Sequence, residues 1–184
     1  MALLKDRIAV VTGASRGIGY AVAKALAAQG AHIVALARPR SVGALEELDD
    51  DIRAMGGSVT LTPLDLTDYE GIDRLGAALY ERWGKLDILV GNAGLLGSLS
   101  PLGHLAPKEW DEVMAVNVTA NWRLIRSLIR FCGNRMPGAP CLSHQGPRTR
   151  LCLIGGFMPQ PRPPWKKWLK SMPQNVPKRR SGSI

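Results

Sequence analysis

Apolar residues recur along the first two-thirds of the chain in two alternating patterns. Short apolar runs rich in β-branched residues predict buried strands, and apolar positions three and four apart predict amphipathic helices. The predicted strands are 7–12, 32–37, 58–62 and 87–90, and the predicted helices are 17–29, 41–55, 68–83 and 106–126. Regular alternation of strand and helix predicts an α/β fold, a doubly wound parallel sheet with helices on both faces.

This pattern stops near residue 128, where the composition also changes. Residues 1–128 contain 13 Lys/Arg and 15 Asp/Glu, whereas residues 129–184 contain 11 Lys/Arg, no acidic residue and nine of the 13 prolines. Proline interrupts every stretch beyond this point that has the length of a helix or central strand. We therefore expect a folded but incomplete domain over 1–128 and an irregular, basic, largely disordered tail over 129–184.

Charge, cysteine usage and apolar run length limit the function classes. The net charge of +9 comes from the tail, which weakens a nucleic-acid interpretation of the whole chain. Cys132, Cys141 and Cys152 have spacings typical of neither a close zinc pair nor a redox pair, so we interpret them as free thiols and expect no metal site. No apolar stretch approaches the roughly 18–20 residues that span a bilayer. These features favour a cytoplasmic protein that does not bind membranes.

The segment between the first predicted strand and the first predicted helix is rich in glycine. Gly13, Gly17 and Gly19 have the spacing G-x-x-x-G-x-G. Gly13 suits a tight turn, Gly17 suits close approach of a pyrophosphate to the backbone, and Gly19 suits close packing of helix on strand. The N–H groups and the dipole at a helix N-terminus favour an anion. This segment therefore predicts a phosphate-binding loop, the alternative being that the glycines only mark a turn.

Four motifs in order resemble those of the short-chain dehydrogenase/reductase family. They are Thr12-Gly13-Ala14-Ser15-Arg16-Gly17-Ile18-Gly19, Asp65-Leu66, Asn92-Ala93-Gly94 and Asn117. The resemblance, which covers residues 5–128, implies a Rossmann-like fold and a dinucleotide bound by Gly13, Ser15, Arg16, Gly17, Ile18, Gly19, Arg38, Asp65, Leu66, Asn92, Ala93 and Gly94. It also implies that Asp65 holds the adenine amino group and that Asn117 is catalytic, its backbone carbonyl holding a water of the proton relay. Considered alone, Asp65 could instead be a helix cap, and Asn117 could be a helix residue whose side chain is hydrogen-bonded within the protein.

The end of the second predicted strand bears on cofactor choice. NAD-binding folds place an acidic residue here to bond the ribose 2′-hydroxyl, whereas this chain has Ala37-Arg38-Pro39-Arg40. Together with Arg16, these guanidinium groups are suited to a 2′-phosphate. The sequence favours NADP, with NAD left open and solvated arginines as the alternative.

The residues that carry the family's chemistry are absent. The resemblance implies a Ser that orients the substrate, a Tyr that acts as general acid/base, and a Lys that lowers the Tyr pKa and binds ribose. The tyrosines present, Tyr20, Tyr69 and Tyr80, all lie upstream of the position where the family has this site, and the one Tyr-x-x-x-Lys, Tyr20 to Lys24, falls in the first predicted helix. We therefore expect this form to be inactive.

A change of reading frame near Leu128–Ile129 accounts for both the composition and the missing chemistry. If each codon's third base is read with the first two of the next codon, residues 157–162 permit Tyr-Ala-Ala-Thr-Lys. In the same frame residues 141–146 permit Leu-Ile-Ser-Ser-Gly, and residues 163–169 permit a helical Ala-Ala-Met-Glu-Lys-Met-Val. Because most amino acids have several codons, the displaced frame is inferred from the codons that the printed residues permit.

Two function classes are consistent with these features of the sequence. One is an NADP-dependent oxidoreductase by descent that acts on a small carbonyl compound or secondary alcohol, with a homo-oligomer left open and no specific nucleic-acid or membrane partner. The alternative is a non-catalytic dinucleotide-binding protein whose cationic tail contacts nucleic acid or an anionic membrane.

Overall fold

A computed structural model describes residues 2–129 of the 184-residue chain, with side chains through residue 128. The strands are β1 (Ile8–Thr12), β2 (His32–Ala37), β3 (Ser58–Pro63) and β4 (Ile88–Val90), and the α-helices are α1 (Gly17–Ala28), α2 (Val42–Ala54), α3 (Tyr69–Trp83), α4 (Pro107–Met114) and α5 (Ala120–Ile129). Short 3-10 turns span Pro39–Ser41 and Leu102–His104. The predicted basic tail and the three cysteines lie outside the described residues.

The four strands form one parallel sheet in the order β3-β2-β1-β4. Val10 of β1 is in register with Val34 of β2 on one side and Leu89 of β4 on the other. The chain thus builds outward from β1 to β3 and then crosses to the opposite side of β1. The order reverses between β1 and β4, and such a switch point leaves a crevice at the carboxyl ends of the strands.

Each face of the sheet has its own apolar core. Alternate residues of β1, β2 and β4 pack on one face with α3 and α5, where Ile72 and Leu124 are fully buried. The intervening residues pack on the other face with α1 and α2, where Leu48 and Ile52 are fully buried. All five residues of β1 are buried, as expected for an interior strand of a parallel sheet. The predicted doubly wound α/β fold is confirmed over these residues.

Two aspartates predicted to lie within elements lie just outside them. Asp87 precedes β4, and its buried carboxylate accepts hydrogen bonds from the Ile8 backbone N–H, at 3.0 Å, and from the Arg7 guanidinium. Asp68 precedes α3 and caps it, accepting a hydrogen bond from the Gly71 N–H at 2.8 Å. Both carboxylates accept a hydrogen bond from a backbone N–H group near the start of an element, and so they help to define where β1 and α3 begin.

The prediction of one continuous helix over 106–126 is wrong. Three segments occupy this stretch, because π-helical Ala115–Thr119 separates α4 from α5. The Ala120 N–H bonds the Ala115 carbonyl five residues earlier, where an α-helix would use a carbonyl four residues earlier. Asn117 lies inside this wider turn, whose position therefore matters for the site.

Among the helices described, none is both long enough and apolar enough to cross a bilayer.

Candidate functional site

A cavity of about 710 Å³ opens at the carboxyl ends of all four strands. Gly13 follows β1, Arg38 follows β2, Asp65 follows β3 and Asn92 follows β4, and all four residues line it. Residues of α4 and of the π-helical turn form a further wall, which includes Glu112 and Val116. The volume falls within the range of roughly 300–1,000 Å³ typical of cofactor and small-ligand clefts.

The glycine-rich loop after β1 has the conformation that only glycine adopts without strain at two positions. Gly13 has φ +66° and Gly17 has φ +57°. A Cβ on Gly13 would lie 3.0 Å from the Ala93 Cα, whereas a Cβ on Gly17 would meet nothing within 4 Å. Gly17 is thus required by its backbone angle, and the space beside it is open.

Gly19 is required for a different reason from the one predicted. A Cβ there would collide with the Gly13 carbonyl and with the Asn92 amide, closer than real Cβ contacts allow. The predicted contact was helix on strand, but the observed neighbours are the loop itself and the segment after β4. Gly19 therefore lets α1 approach the point where β1 and β4 end.

The N-terminus of α1 is open to an anion, in contrast to that of α3. Arg16 occupies the N-cap position of α1 in an extended conformation, no side chain caps the helix, and its first turn contains no acid. Helix α3 is capped by Asp68 and carries Glu70 in its first turn. The first N–H groups of α1 thus lack the side-chain acceptor that α3 has, and the helix dipole makes that end electropositive.

Three arginines line the cavity, Arg16 after β1 and Arg38 and Arg40 after β2. Within the described part of the chain, none of the three forms an ion pair. Asp65 lies near two of them. Hydrogen bonds from the Thr67 N–H and hydroxyl, and then the charges of Arg38 and Arg40, hold the pKa of the Asp65 carboxyl below its usual range. This side of the cavity therefore carries a net positive charge.

The helix-cap alternative for Asp65 is wrong, because Asp68 caps α3. The Oδ1 atom of Asp65 accepts both Thr67 hydrogen bonds, at 2.9 Å and 2.8 Å, within the turn that leads from β3 to α3. Asp65 and Leu66 both line the cavity. The position is compatible with the adenine contact implied by the family resemblance.

Thr12 and Asn92 tie the loop after β1 to the segment after β4. The Thr12 hydroxyl donates to the Val90 carbonyl at 3.3 Å and accepts from the backbone N–H groups of Asn92 and Ala93, both at 3.0 Å. The Asn92 amide donates to the carbonyls of Thr12 and Gly13 at 3.1 and 3.3 Å. These bonds fix the two loops that form the floor of the cavity.

Asn117 braces the loop after β4 through its side chain. Its amide nitrogen donates to the Leu95 carbonyl and its amide oxygen accepts from the Leu95 N–H, both at 2.8 Å. Its backbone carbonyl accepts from the Asn121 amide, also at 2.8 Å. The predicted location inside an α-helix is wrong, since Asn117 lies in the π-helical turn. Leu95 lines the cavity, so the amide of Asn117 positions the wall of the site.

Nine of the predicted binding residues line the cavity: Gly13, Ser15, Arg16, Arg38, Asp65, Leu66, Asn92, Ala93 and Gly94. The lining does not include Gly17, Ile18, Gly19 or Asn117, and the first three form the first turn of α1, where Ile18 is 68% exposed. Arg40, which was predicted as a possible partner of a 2′-phosphate, also lines the cavity, whereas lining residues such as Thr67, Leu95, Glu112 and Val116 were missed. Thr67 and Leu95 directly follow predicted motifs, and this position in the sequence could have identified them as binding residues. Glu112 on α4 follows no predicted motif, so the sequence carried no such signal for it.

Residues 7–139 match the short chain dehydrogenase family, which is more than half of the chain. The chain is 35% identical over 136 residues to 2,3-dihydro-2,3-dihydroxybenzoate dehydrogenase of Bacillus subtilis (strain 168), covering 74% of this chain and 51% of that protein. The match to the family continues past the compositional boundary at residue 128 and ends at residue 139.

Solved structures give the same result. A metagenomic short-chain oxidoreductase in complex with NADP superimposes with a TM-score of 0.67 at 38% identity, covering 70% of this chain and 57% of that one. An alcohol dehydrogenase from the archaeon Thermococcus sibiricus, complexed with 5-hydroxy-NADP, gives 0.62 at 35% identity, covering 67% and 52%. The chain spans about half the length of the curated relatives it matches.

Proposed function

The chain belongs to the short chain dehydrogenase family, and from this premise we propose that its cavity binds NADP(H) in preference to NAD(H). The observation that carries the preference is the charge at the carboxyl end of β2. Arg38 and Arg40 line the cavity where an NAD-binding fold would place an acid, and Arg16 lines the same cavity at the start of α1. Guanidinium groups bind a phosphate through paired, charge-assisted hydrogen bonds.

The loop between β1 and α1 is a second feature that supports dinucleotide binding. A Cβ at Gly17 would meet nothing within 4 Å, so the backbone there is open to approach, and the first turn of α1 has no side-chain cap. We assign the pyrophosphate to the segment that contains Gly13, Ser15, Gly17, Ile18 and Gly19. Asp65 and Leu66 would hold the adenine, and Asn92, Ala93 and Gly94 would form the floor beneath the dinucleotide.

Titration of the full chain with NADPH and NADH, followed by cofactor fluorescence, tests the preference. We expect the Kd for NADPH to be lower by at least about tenfold, the factor that one charge-assisted hydrogen bond supplies. Arg38→Asp should abolish the difference, because it places an acid where the 2′-phosphate would lie. Arg82→Asp makes the same charge change in the last turn of α3, at the amino ends of the strands, and should leave it intact. Equal affinities in the unaltered chain would refute the preference.

We further propose that this form of the protein has no substantial dehydrogenase activity. In the family, the bound dinucleotide donates or accepts a hydride at the carbon of a carbonyl or secondary alcohol. The substrate oxygen must gain or lose a proton in the same step. The chain's one Tyr-x-x-x-Lys, Tyr20 to Lys24, lies in α1 outside the cavity lining, and both of its side chains bond Asp51. The amide of Asn117 does not supply the proton either, because both of its ends bond Leu95.

A change of reading frame near residue 129 is our proposed origin of the missing residues. The displaced frame permits Tyr-Ala-Ala-Thr-Lys over residues 157–162, in the order and spacing that the family's chemistry needs. Sequencing of the coding DNA from codon 125 to codon 135 tests this directly. A one-base difference from a gene that reads Tyr-Ala-Ala-Thr-Lys would support the proposal, whereas an intact frame continuous with the printed tail in independent isolates would refute it.

A further inference from the structure

Helix α5 exposes an aromatic ring beside two cations. Trp122 is 52% exposed, and the guanidinium groups of Arg123 and Arg126 lie 5.8 and 5.3 Å from the centre of its ring. Arg123 also lies over the ring of Tyr69, at 4.2 Å, and forms no ion pair with a described residue, whereas Arg126 has Asp73 at 4.0 Å. We call Trp122, Arg123 and Arg126 the Trp122 surface. None of the three lines the cavity, so this surface is separate from the proposed dinucleotide site.

The positive charge of α5 continues in the sequence that follows it. Ala120–Ile129 contains two arginines and no acidic residue, and residues 129–184 contain 11 Lys/Arg and no acidic residue. Because an α-helix rises 1.5 Å per residue, the basic segment begins about 10 Å from Trp122. That segment also interleaves aromatic residues with lysines, at Trp165-Lys166-Lys167-Trp168. A polyanion bound at Trp122 therefore meets the start of a long run of sequence that carries positive charge alone.

We propose that the Trp122 surface binds single-stranded nucleic acid. Every base presents a π-face that can stack on an exposed aromatic ring, and every nucleotide presents a phosphate to a cation. Trp122 would stack on a base, and Arg123, Arg126 and the basic segment would contact the phosphates on either side of it. The two guanidinium groups hold the indole ring by cation–π contacts, while half of the side chain stays exposed to receive the base.

Two other partners fit the Trp122 surface less well. A helix binds a lipid bilayer by inserting its apolar face, but Leu124 and Leu128 of α5 are buried in the core of the domain. A second copy of the chain packed along α4 and α5 would cover Trp110 as well as Trp122. Trp110 is 48% exposed and stands between Glu109 and Asp111 in the sequence, so a polyanion avoids it. Trp110 therefore distinguishes a second copy from a nucleic acid.

Fluorescence anisotropy of the full chain with a labelled oligo(dT) strand of about 20 nucleotides tests the proposal. We expect binding that weakens as the salt rises from about 50 to about 300 mM. An abasic strand of the same length should bind at least about fivefold more weakly, because it offers the same phosphates but no base to stack. Equal binding of the abasic strand would overturn the proposal, as would the absence of oligo(dT) binding at the lowest salt or binding of anionic phospholipid vesicles in its place.

Competition with NADPH separates this proposal from the proposed function. Saturating NADPH should leave the Kd for oligo(dT) unchanged, because the Trp122 surface lies outside the cavity lining. Displacement of oligo(dT) by NADPH would place the strand in the cavity, which would overturn the inference and leave the dinucleotide site standing.

Two matched pairs of variants locate the contact. Trp122→Ala should weaken oligo(dT) binding by at least about fivefold, whereas Trp110→Ala, which removes the same ring from between two carboxylates, should change it by less than about twofold. Arg126→Gln should reduce the slope of log Kd against log salt by about 0.7, the share of one phosphate. Arg74→Gln, which removes an exposed arginine already paired with two carboxylates, should not. Equal losses in Trp110→Ala and Trp122→Ala, in proteins with unchanged melting temperatures, would point to a second copy and overturn the inference.

Discussion

The two ends of the parallel sheet differ in how their polar residues are bonded. At the amino ends of the strands, the Asp87 carboxylate bonds Arg7 and the Ile8 N–H, and the two ring nitrogens of His32 lie 2.8 and 2.9 Å from the hydroxyls of Ser58 and Thr60. At the carboxyl ends, the guanidinium groups of the cavity form no ion pair within the described residues. Within the described residues, the charged groups at the amino ends of the strands are thus paired with each other, whereas the guanidinium groups at the carboxyl ends are unpaired and can bind an anionic ligand.

The difference separates residues that stabilise the fold from residues that bind. A buried carboxylate without partners would destabilise the domain, so selection for folding alone requires the arrangement seen around Asp87. Exposed cations beside an uncapped helix contribute little to folding, and their concentration at the switch point of the sheet points to a ligand. Substitutions at the two ends should therefore change different quantities, namely stability at one end and affinity at the other.

We expect the largest effect at Gly19, where a substitution should change both the stability of the domain and its affinity for NADP⁺. Gly19→Ala places a methyl group against the Gly13 carbonyl and the Asn92 amide, so the loop must move. We expect a loss of about 3 kcal/mol in the free energy of unfolding and no measurable binding of NADP⁺. Chemical denaturation with and without NADP⁺ measures both quantities.

Two other glycines serve as matched controls for that substitution. Gly17→Ala meets no neighbouring atom but adopts a φ of +57°, so we expect a cost of about 1 kcal/mol. Gly43→Ala in the first turn of α2 meets no atom and has no unusual φ, so we expect no loss of stability. A Gly19→Ala protein as stable as Gly43→Ala would contradict the close approach of α1 to the strand ends.

Asp87 at the amino end gives the next largest effect. Asp87→Ala removes the acceptor of the Ile8 N–H and the partner of Arg7 from a site where the aspartate is 8% exposed. We expect a loss of about 3 kcal/mol in the free energy of unfolding, with the Kd for NADP⁺ unchanged in the folded protein. Asp73→Ala, which breaks an exposed 4.0 Å ion pair with Arg126, should cost less than about 0.5 kcal/mol. Weakened NADP⁺ binding in Asp87→Ala would break the separation of the two ends.

The smallest effect is a pH dependence due to His32. Burial, and then the positive charge of Arg82, lower the pKa of His32 below its ordinary value of 6.5. Below pH 6.5 the unfolded chain therefore binds a proton that the folded chain resists, and stability falls as the pH falls from 6.5 through the folded-state pKa. His32→Gln should flatten this part of the stability profile, measured by denaturation between pH 7.5 and pH 5. An equally steep profile in the variant would assign the dependence to other groups.

The sequence predicted most of the fold because each element carries its own signal. The apolar run of β1 and the glycines after it identify a strand, a turn and a helix start within a dozen residues, and strand alternation then places the cavity. Gly13, Asp65 and Asn92 were predicted for the site because they belong to motifs that resemble those of the family and that come after predicted strands.

What the sequence did not predict depends on contacts between distant segments. The π-helical turn coincides with Asn117, whose side chain bonds Leu95 across 22 residues, and local periodicity does not encode such a bond. Glu112 and Val116 line the cavity because α4 lies beside the loop after β4, an arrangement set by tertiary packing. The different reason for Gly19 likewise appears only when Gly13 and Asn92 are seen together in space.

We propose that the chain retains a dinucleotide site and lacks the residues that transfer a proton to or from the substrate. The most direct test compares the chain as printed with a version in which one base is restored near codon 129, so that Tyr-Ala-Ala-Thr-Lys is read. Both are assayed with NADPH and a panel of ketones by loss of NADPH absorbance. A positioned general acid and an oxygen-binding donor together supply roughly 10⁴-fold or more, so we predict turnover in the restored protein alone. Comparable rates in the two proteins would contradict the account.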